Sequence, residues 1–412
     1  MAEAKVLTVT TLRPEGAGSL RAALREKGPA LVVFEVGGVI DLAGRSLEIS
    51  NSFIFVAGET APPPGVTLIR GSLLIEADHV IVRHLAVRPG DGGPEFKARA
   101  SGWQPDGITV DRAQRPVHDV LIQNCSATWA VDENMSVSGP RDVRPSSGPE
   151  ATAHDVTLRD NLSAEALLNS THAKGPHSMG LLVHDGIRGV TISGNLFASN
   201  RERNPRLKGG VVASVIGNVI YNWGSAAVGV GARGNEEVLE GVKAVVKGNV
   251  AIAGPDTKGR VLVRAVDPGA SVEAAGNLAL TAAGAALKEL DASITPTTFP
   301  TVPADPPAAP REPPANASDT ISAVLRGAGF RPAERDPIDR RIIESVILGS
   351  GRIIDSQSQV EGYPKRAESR HSVAVPPGGP ERKAWLGGLM RSLAVDPGVD
   401  VSPLLKRLNL PR

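Results

Sequence analysis

Six stretches of the chain share one pattern, alternating apolar residues, an asparagine, then more apolar residues: VLIQNCSATWA, VTLRDNLSAEA, VTISGNLFASN, ASVIGNVIYNW, AVVKGNVAIAG and VEAAGNLAL. Their asparagines, Asn124, Asn161, Asn195, Asn218, Asn249 and Asn277, are separated by 37, 34, 23, 31 and 28 residues. A loose period of this size, each unit carrying short strands and a turn, describes a solenoid whose turns vary in length. The expected fold is all-β, a parallel β-helix in which each strand pairs with its equivalent one coil away, about 4.8 Å along the axis. Stacked asparagines then form a ladder of amide hydrogen bonds. The upstream stretch GVTLIRGSLLIEADHVIVRHLAV extends the pattern toward the N-terminus. Composition agrees, since 45 glycines and only 13 aromatic residues in 412 suit many short strands and disfavour a helical bundle.

Other segments frame this repeat. GAGSLRAALREKG places leucines and alanines at helical spacing before a glycine, which predicts a short N-terminal helix capping the open end of the solenoid. Eight prolines fall between Pro296 and Pro314, an extended linker. Beyond it, DTISAVLRGAGF and DPIDRRIIESVILGSG read as helices with an aspartate at each start and glycines after each end. The expected division is a β-helix over residues 1–291, a linker over 292–318 and a partly helical extension over 319–412.

Net charge is +1, so anion binding belongs to local clusters and nucleic acid is not an expected partner. No apolar run approaches the roughly 18 residues that span a bilayer, so no membrane association is expected. The single cysteine, Cys125, has no partner within the chain and is expected to be buried. One local cluster stands out: in SNRERNPRLKGG, Arg203, Arg206 and Lys208 surround Pro205 just before a run of strand formers. Basic side chains on alternate strand positions point the same way and suit an anion.

Seven ordered stretches, GAGSLRAAL, VVFEVGGVIDL, VAGETAPPPGVTL, VRHLAVRPGD, NCSATWAVDENMSVSG, HAKGPHSMGLLV and NRERNPRLKGG, together resemble pectate lyases of polysaccharide lyase family 1, from about residue 7 to 280. GRIIDSQSQVEGYP resembles C-terminal segments of bacterial members. The resemblance implies a right-handed parallel β-helix, secretion, action on polygalacturonate or pectin, and Ca²⁺-assisted β-elimination giving 4,5-unsaturated oligogalacturonates. A monomer is expected. Within the basic motif it makes Arg203 the catalytic base, with Arg206 and Lys208 binding substrate.

The chemistry requires removal of the C5 proton of a uronate, which is weakly acidic until its carboxylate is neutralised. A calcium ion held by hard oxygen ligands, and basic side chains on the remaining oxygens, supply the positive charge. Asp106 and Asp132 are the candidate calcium ligands: each opens an alternating run, and their 26-residue separation puts them on neighbouring coils of one face. Gln104 and Ser136 stand where the family pattern has further acids, with Glu133 and Asp91 as candidate substitutes. Lys174 is a further candidate catalytic residue and His177 a candidate substrate ligand. Trp103 and Trp129 flank the aspartates, where they either stack on sugars or pack in the wall, and His84 is expected in a turn. A guanidinium has a pKa above about 12, so Arg203 acts as a base only at alkaline pH and otherwise stabilises charge. The competing readings are a metal-independent lyase acting on methyl-esterified pectin and a non-catalytic β-helix that binds polysaccharide.

Overall fold

The computed structural model describes residues 4–92, 102–111, 116–139, 152–231, 241–266, 269–291 and 312–411. Its strands form three sheets of ten, ten and nine strands; apart from the first strand, Lys5–Val9, which pairs with the second, and a short tail strand, neighbours within each sheet lie three strands apart in the chain. Every coil therefore adds one strand to each sheet. All strand pairings within the solenoid are parallel, with a lone antiparallel bridge between Leu280 and Ala286 at its end; the antiparallel strand pair, Ser369–Arg370 on Val36–Asp41, comes from the C-terminal tail. This is the expected parallel β-helix.

The passage from the first sheet to the second takes a single residue of positive φ. His84, Asn124, Asp160, Gly194, Gly217, Gly248 and Gly276 occupy this position, with φ between 50° and 68°. Glycine, Asn and Asp tolerate that conformation best. His84 thus sits in a turn, fully buried, with its Nδ1 accepting the Arg331 N–H at 3.3 Å. The next residue points inward and builds the ladder. Asn161 Nδ2 donates to Asn195 Oδ1 (3.0 Å), Asn195 to Asn218 (2.9 Å), Asn218 to Asn249 (2.9 Å), Asn249 to Asn277 (2.8 Å), and Asn277 ends on Glu289 Oε1 (2.9 Å). Asn124 is not a rung. It is the turn residue of its coil, and the buried Cys125 takes the inward place, donating its N–H to Asn161 Oδ1.

The N-terminal helix, Leu20–Arg25, is capped by the Ser19 side chain and buries Leu20, Ala23 and Leu24 against the end of the coil. Of the linker, residues 292–311 lie outside the described residues. The tail then contributes helices Ala317–Gly327, Pro337–Leu348, Gly379–Leu393 and Ser402–Arg407. The first is capped by Asn316, with Asp319 in its first turn, so its start lies inside the segment read as linker. Asp336 caps the second and Gly349 ends it, as expected. Ala317–Gly327, Pro337–Leu348 and Ser402–Arg407 lie on the outer face of the second sheet, whereas Gly379–Leu393 sets Leu386 against Leu31, Val33 and Phe55 of the first. Ile321, Leu325, Ile342 and Val346 join Leu162, Leu196, Val219 and Val250 in one apolar cluster. Arg88, fully buried, reaches Asp336 (2.7 Å) and Asp339 (2.8 Å) of the tail.

Candidate active site

The third sheet supplies the site. Asp106 lies two residues before strand Ile108–Val110, and register pairs Ile108 with Met135 and Met135 with Leu181. Asp106 therefore sits level with Glu133, the first residue of strand Glu133–Val137, and Glu133 pairs with Met179. On the following coil Met179 bridges to Glu202, yet Leu182 pairs with Arg206. The second segment holds one residue more, and Arg203, with φ 63°, sits in this bulge. Bulges redirect side chains, and this one turns the guanidinium onto Glu133, with which it forms an ion pair. Backbones approach closely here: a Cβ on Gly107 would lie 2.4 Å from Asn134 O, and one on Gly180 would lie 2.5 Å from Asn204 Oδ1. Only glycine fits both places.

Asp106, Asp132 and Glu133 bring carboxylate oxygens within 4.8 Å of one another. Asp106 Oδ2 accepts from Ser136 Oγ (2.7 Å) and Thr109 Oγ1 (2.8 Å), and its Oδ1 accepts the Glu133 N–H (3.1 Å). Burial and then the Asp132 charge push the Asp106 carboxyl up to about 6, against these hydrogen bonds. Asp132 is also opposed by burial, but His177, His172 and Arg203 outweigh it and hold this carboxyl below its ordinary value. The two imidazoles stack, centroids 3.7 Å apart, with His177 Nε2 2.7 Å and His172 Nε2 3.3 Å from the Asp132 oxygens. Burial lowers His172.

The predicted residues divide. Asp106, Asp132, Arg203 and His177 come together. Lys174 is exposed in the loop before Met179 and touches the site only through its N–H, which His172 Nδ1 accepts at 3.1 Å. Arg206 turns to Gly231 O (2.8 and 3.1 Å), and Lys208 is half-buried in register with His184. Asp91 does not join the carboxylates: it accepts from Gln357 Nε2 and Ser356 Oγ, each at 2.7 Å. Gln104 Oε1 accepts the Ala173 N–H at 2.8 Å. Trp103 and Trp129 are wall residues, donating to Gly90 O (2.9 Å) and Glu165 Oε2 (3.0 Å). His172 carried no signal beyond its place in HAKGPHS.

The tail braces the loops around the site. Ile354 O accepts the Leu168 N–H (2.8 Å) and Asp355 Oδ1 the Asn169 N–H (3.0 Å), at the base of the loop holding His172 and His177. Tyr363 donates to Pro89 O and accepts from Gly92.

The donor set suits a hard divalent cation: three clustered carboxylates, one of them with too little compensating charge to ionise at its ordinary pH. The fold and site together define a parallel β-helix with a line of carboxylates and a guanidinium along one face. No protein-family model matches the chain. It is 35% identical to the probable pectate lyase C of Emericella nidulans over 253 residues, 61% of this chain and 49% of that one. It is 34% identical to the probable pectate lyase C of Aspergillus flavus over 258 residues, 62% and 51% of the two chains. The chain is thus related to these proteins and spans about half their length. Two solved structures share the fold. The cedar-pollen allergen jun a 1 aligns with TM-score 0.55 at 14% identity, covering 78% of this chain and 88% of its own. A pectate lyase of Bacillus sp. N165, in complex with trigalacturonate, aligns at 0.52 and 13%, covering 80% and 94%.

Proposed function

We propose that the chain is a pectate lyase that cleaves de-esterified homogalacturonan by β-elimination. The observation that carries the proposal is the third-sheet line in which Asp106, Asp132 and Glu133 cluster and the bulged Arg203 meets Glu133. Asp106, Asp132 and Glu133 are the residues that would hold Ca²⁺, which when bound neutralises the uronate carboxylate and acidifies its C5 proton.

The protein's own groups do the rest. Glu133 anchors the Arg203 guanidinium and keeps it charged, so Arg203 stabilises the developing enediolate. The C5 proton then needs another acceptor near neutral pH. His172 is a poor one, because its Nδ1 already accepts the Lys174 N–H and its Nε2 faces Asp132. His177, whose Nε2 lies 2.7 Å from Asp132 Oδ1 on the rim of the carboxylate cluster, is the imidazole assigned to take the proton. As C5–H breaks, its electrons form the C4–C5 double bond, the C4–O bond breaks, and the leaving oxygen takes a proton from water.

The second reading, a metal-independent lyase on esterified pectin, is favoured by one observation: imidazoles contact both Asp132 oxygens, and protein donors fill much of Asp106. Absorbance of unsaturated ends, measured on polygalacturonate and on methylated pectin with and without chelator, separates the two. Calcium-dependent cleavage of polygalacturonate is expected. Cleavage that survives chelation and prefers the ester supports the second reading, and a substrate outside the cell makes secretion part of the same proposal.

A further inference from the structure

Two columns of residues climb the outside of the solenoid where strands of the first sheet begin. One holds Phe53, His79, Asp119, Asp155 and Gly189, all with φ between 53° and 65°. The other holds the residue before each, including Asp78, His118 and His154. Pairing of Val80 with Val120 sets His79 level with Asp119 and Asp78 level with His118, and His118 pairs with His154. The sequence shows this as DHV followed by HDV and HDV: reversing one dipeptide puts imidazole and carboxylate side by side in both columns.

Both histidine Nδ1 atoms converge on one oxygen. Asp119 Oδ2 lies 2.8 Å from His118 Nδ1 and 3.3 Å from His79 Nδ1, and the three donor atoms all fall within 4.8 Å of one another. A hydrogen-bonded pair needs only one imidazole, whereas two nitrogens and one oxygen this close match the edges of a coordination sphere with bonds of about 2.0–2.2 Å. The rings are fixed before any ion arrives. Phe53 stacks on His79 at 4.5 Å, His154 stacks on His118 at 4.9 Å, and the two ligand rings meet edge-on at 5.0 Å. Behind the ring, Asp78 Oδ1 accepts the His118 backbone N–H at 3.3 Å and lies 3.9 Å from Nε2, a negative charge on the far side of the imidazole. All three ligands are partly exposed, leaving room for water in a fourth position.

We propose that His79, His118 and Asp119 form a transition-metal site, of the Zn²⁺ class, that clips two adjacent coils together. Imidazole donors select such ions over Ca²⁺ and Mg²⁺. The site lies on a different sheet from the carboxylate line and does not depend on lyase activity.

The test is equilibrium dialysis of Zn²⁺ into tag-free, chelator-stripped full-length protein, with metal content measured for the wild type and for His118→Ala, Asp119→Asn and His177→Ala. The wild type is expected to retain a tight equivalent and to melt higher with Zn²⁺ than without. His118→Ala and Asp119→Asn should each weaken binding at least tenfold, His177→Ala should leave it intact, and excess Ca²⁺ should not displace it. A wild type that binds no Zn²⁺, or an equivalent lost in His177→Ala but kept in His118→Ala, overturns the proposal. The latter result would place the ion at Asp132, His172 and His177. Circular dichroism of both substituted proteins distinguishes a lost ligand from a lost fold.

Discussion

Arg203 is the residue on which the chemistry turns. It lies at an extra position in its strand, in a backbone region that few arginines adopt, with its charge fixed by Glu133. Arg203→Ala should lower turnover at least a hundredfold and also lower the melting temperature, since it leaves the buried Glu133 carboxylate without its partner. His177→Ala should lower turnover on polygalacturonate at least a hundredfold, and unchanged turnover would return the base role to Arg203. A different residue governs stability with pH. Glu59 is buried 3.7 Å from Arg83, and burial pushes its carboxyl up to about 7. Its proton is held more tightly in the fold than in the unfolded chain, so this stability is full below about pH 4.5 and is lost as pH rises through 7. Glu59→Gln should therefore gain on the wild type by roughly 1–3 kcal/mol between pH 5 and pH 8. A gap between their melting temperatures that does not change with pH would contradict this. That Asp106, Asp132 and Arg203 lie together on one face was legible because each stands in a short motif of the sequence. Asp91 binds the tail instead of the carboxylates and Lys174 stands at the exposed rim, because proximity in sequence to a motif does not say which loop folds toward the sheet.

Among elements, the asparagine ladder links the coils from Asn161 to Asn277 in addition to their strand pairing. Asn218 donates to Ile192 O (2.9 Å) and Asn249 Oδ1, and accepts from Asn195, all in the dry interior. Asn218→Ala leaves several of these groups unpaired and should cost roughly 2–4 kcal/mol. Asn277, half-buried at the ladder's end, should cost less, and chemical denaturation of the two variants measures the difference. The repeat revealed the ladder but not its phase at the first of the six matching stretches. Asn124 and Cys125 both fit the pattern, and only the backbone turn decides which faces inward. The tail segment from Ile353 to Tyr363 carried a family resemblance in sequence, but no pattern showed that it braces the loops of the site. Its contacts are single hydrogen bonds to loops far away in sequence, which leave no periodicity. Asp355→Ala should lower turnover about three- to tenfold, through the loop bearing His172 and His177, with little loss of stability; a variant as active as wild type would reduce the brace to packing.

At the scale of the molecule, the solenoid and its extension form one body. Arg88 is buried between Trp129 and the tail's Asp336 and Asp339, and the tail helices cover apolar residues of the second sheet. A proline-rich stretch suggests separation, yet the helical apolar faces beyond it match an otherwise bare sheet. Thermal unfolding should show a single transition shared by β-sheet and helix signals. The β-helix itself was readable because each coil repeats one packing problem, whereas the site depends on one bulge and one loop that occur once.

The most direct test of the central claim, that one face of the solenoid sets carboxylates and a guanidinium around a sugar acid, is the ultraviolet absorbance of unsaturated products from polygalacturonate. With Ca²⁺ the wild-type chain should produce a steady rise that Arg203→Ala lacks, while both proteins share one circular dichroism spectrum. A flat trace from the wild type, or equal traces from the two, would contradict the account.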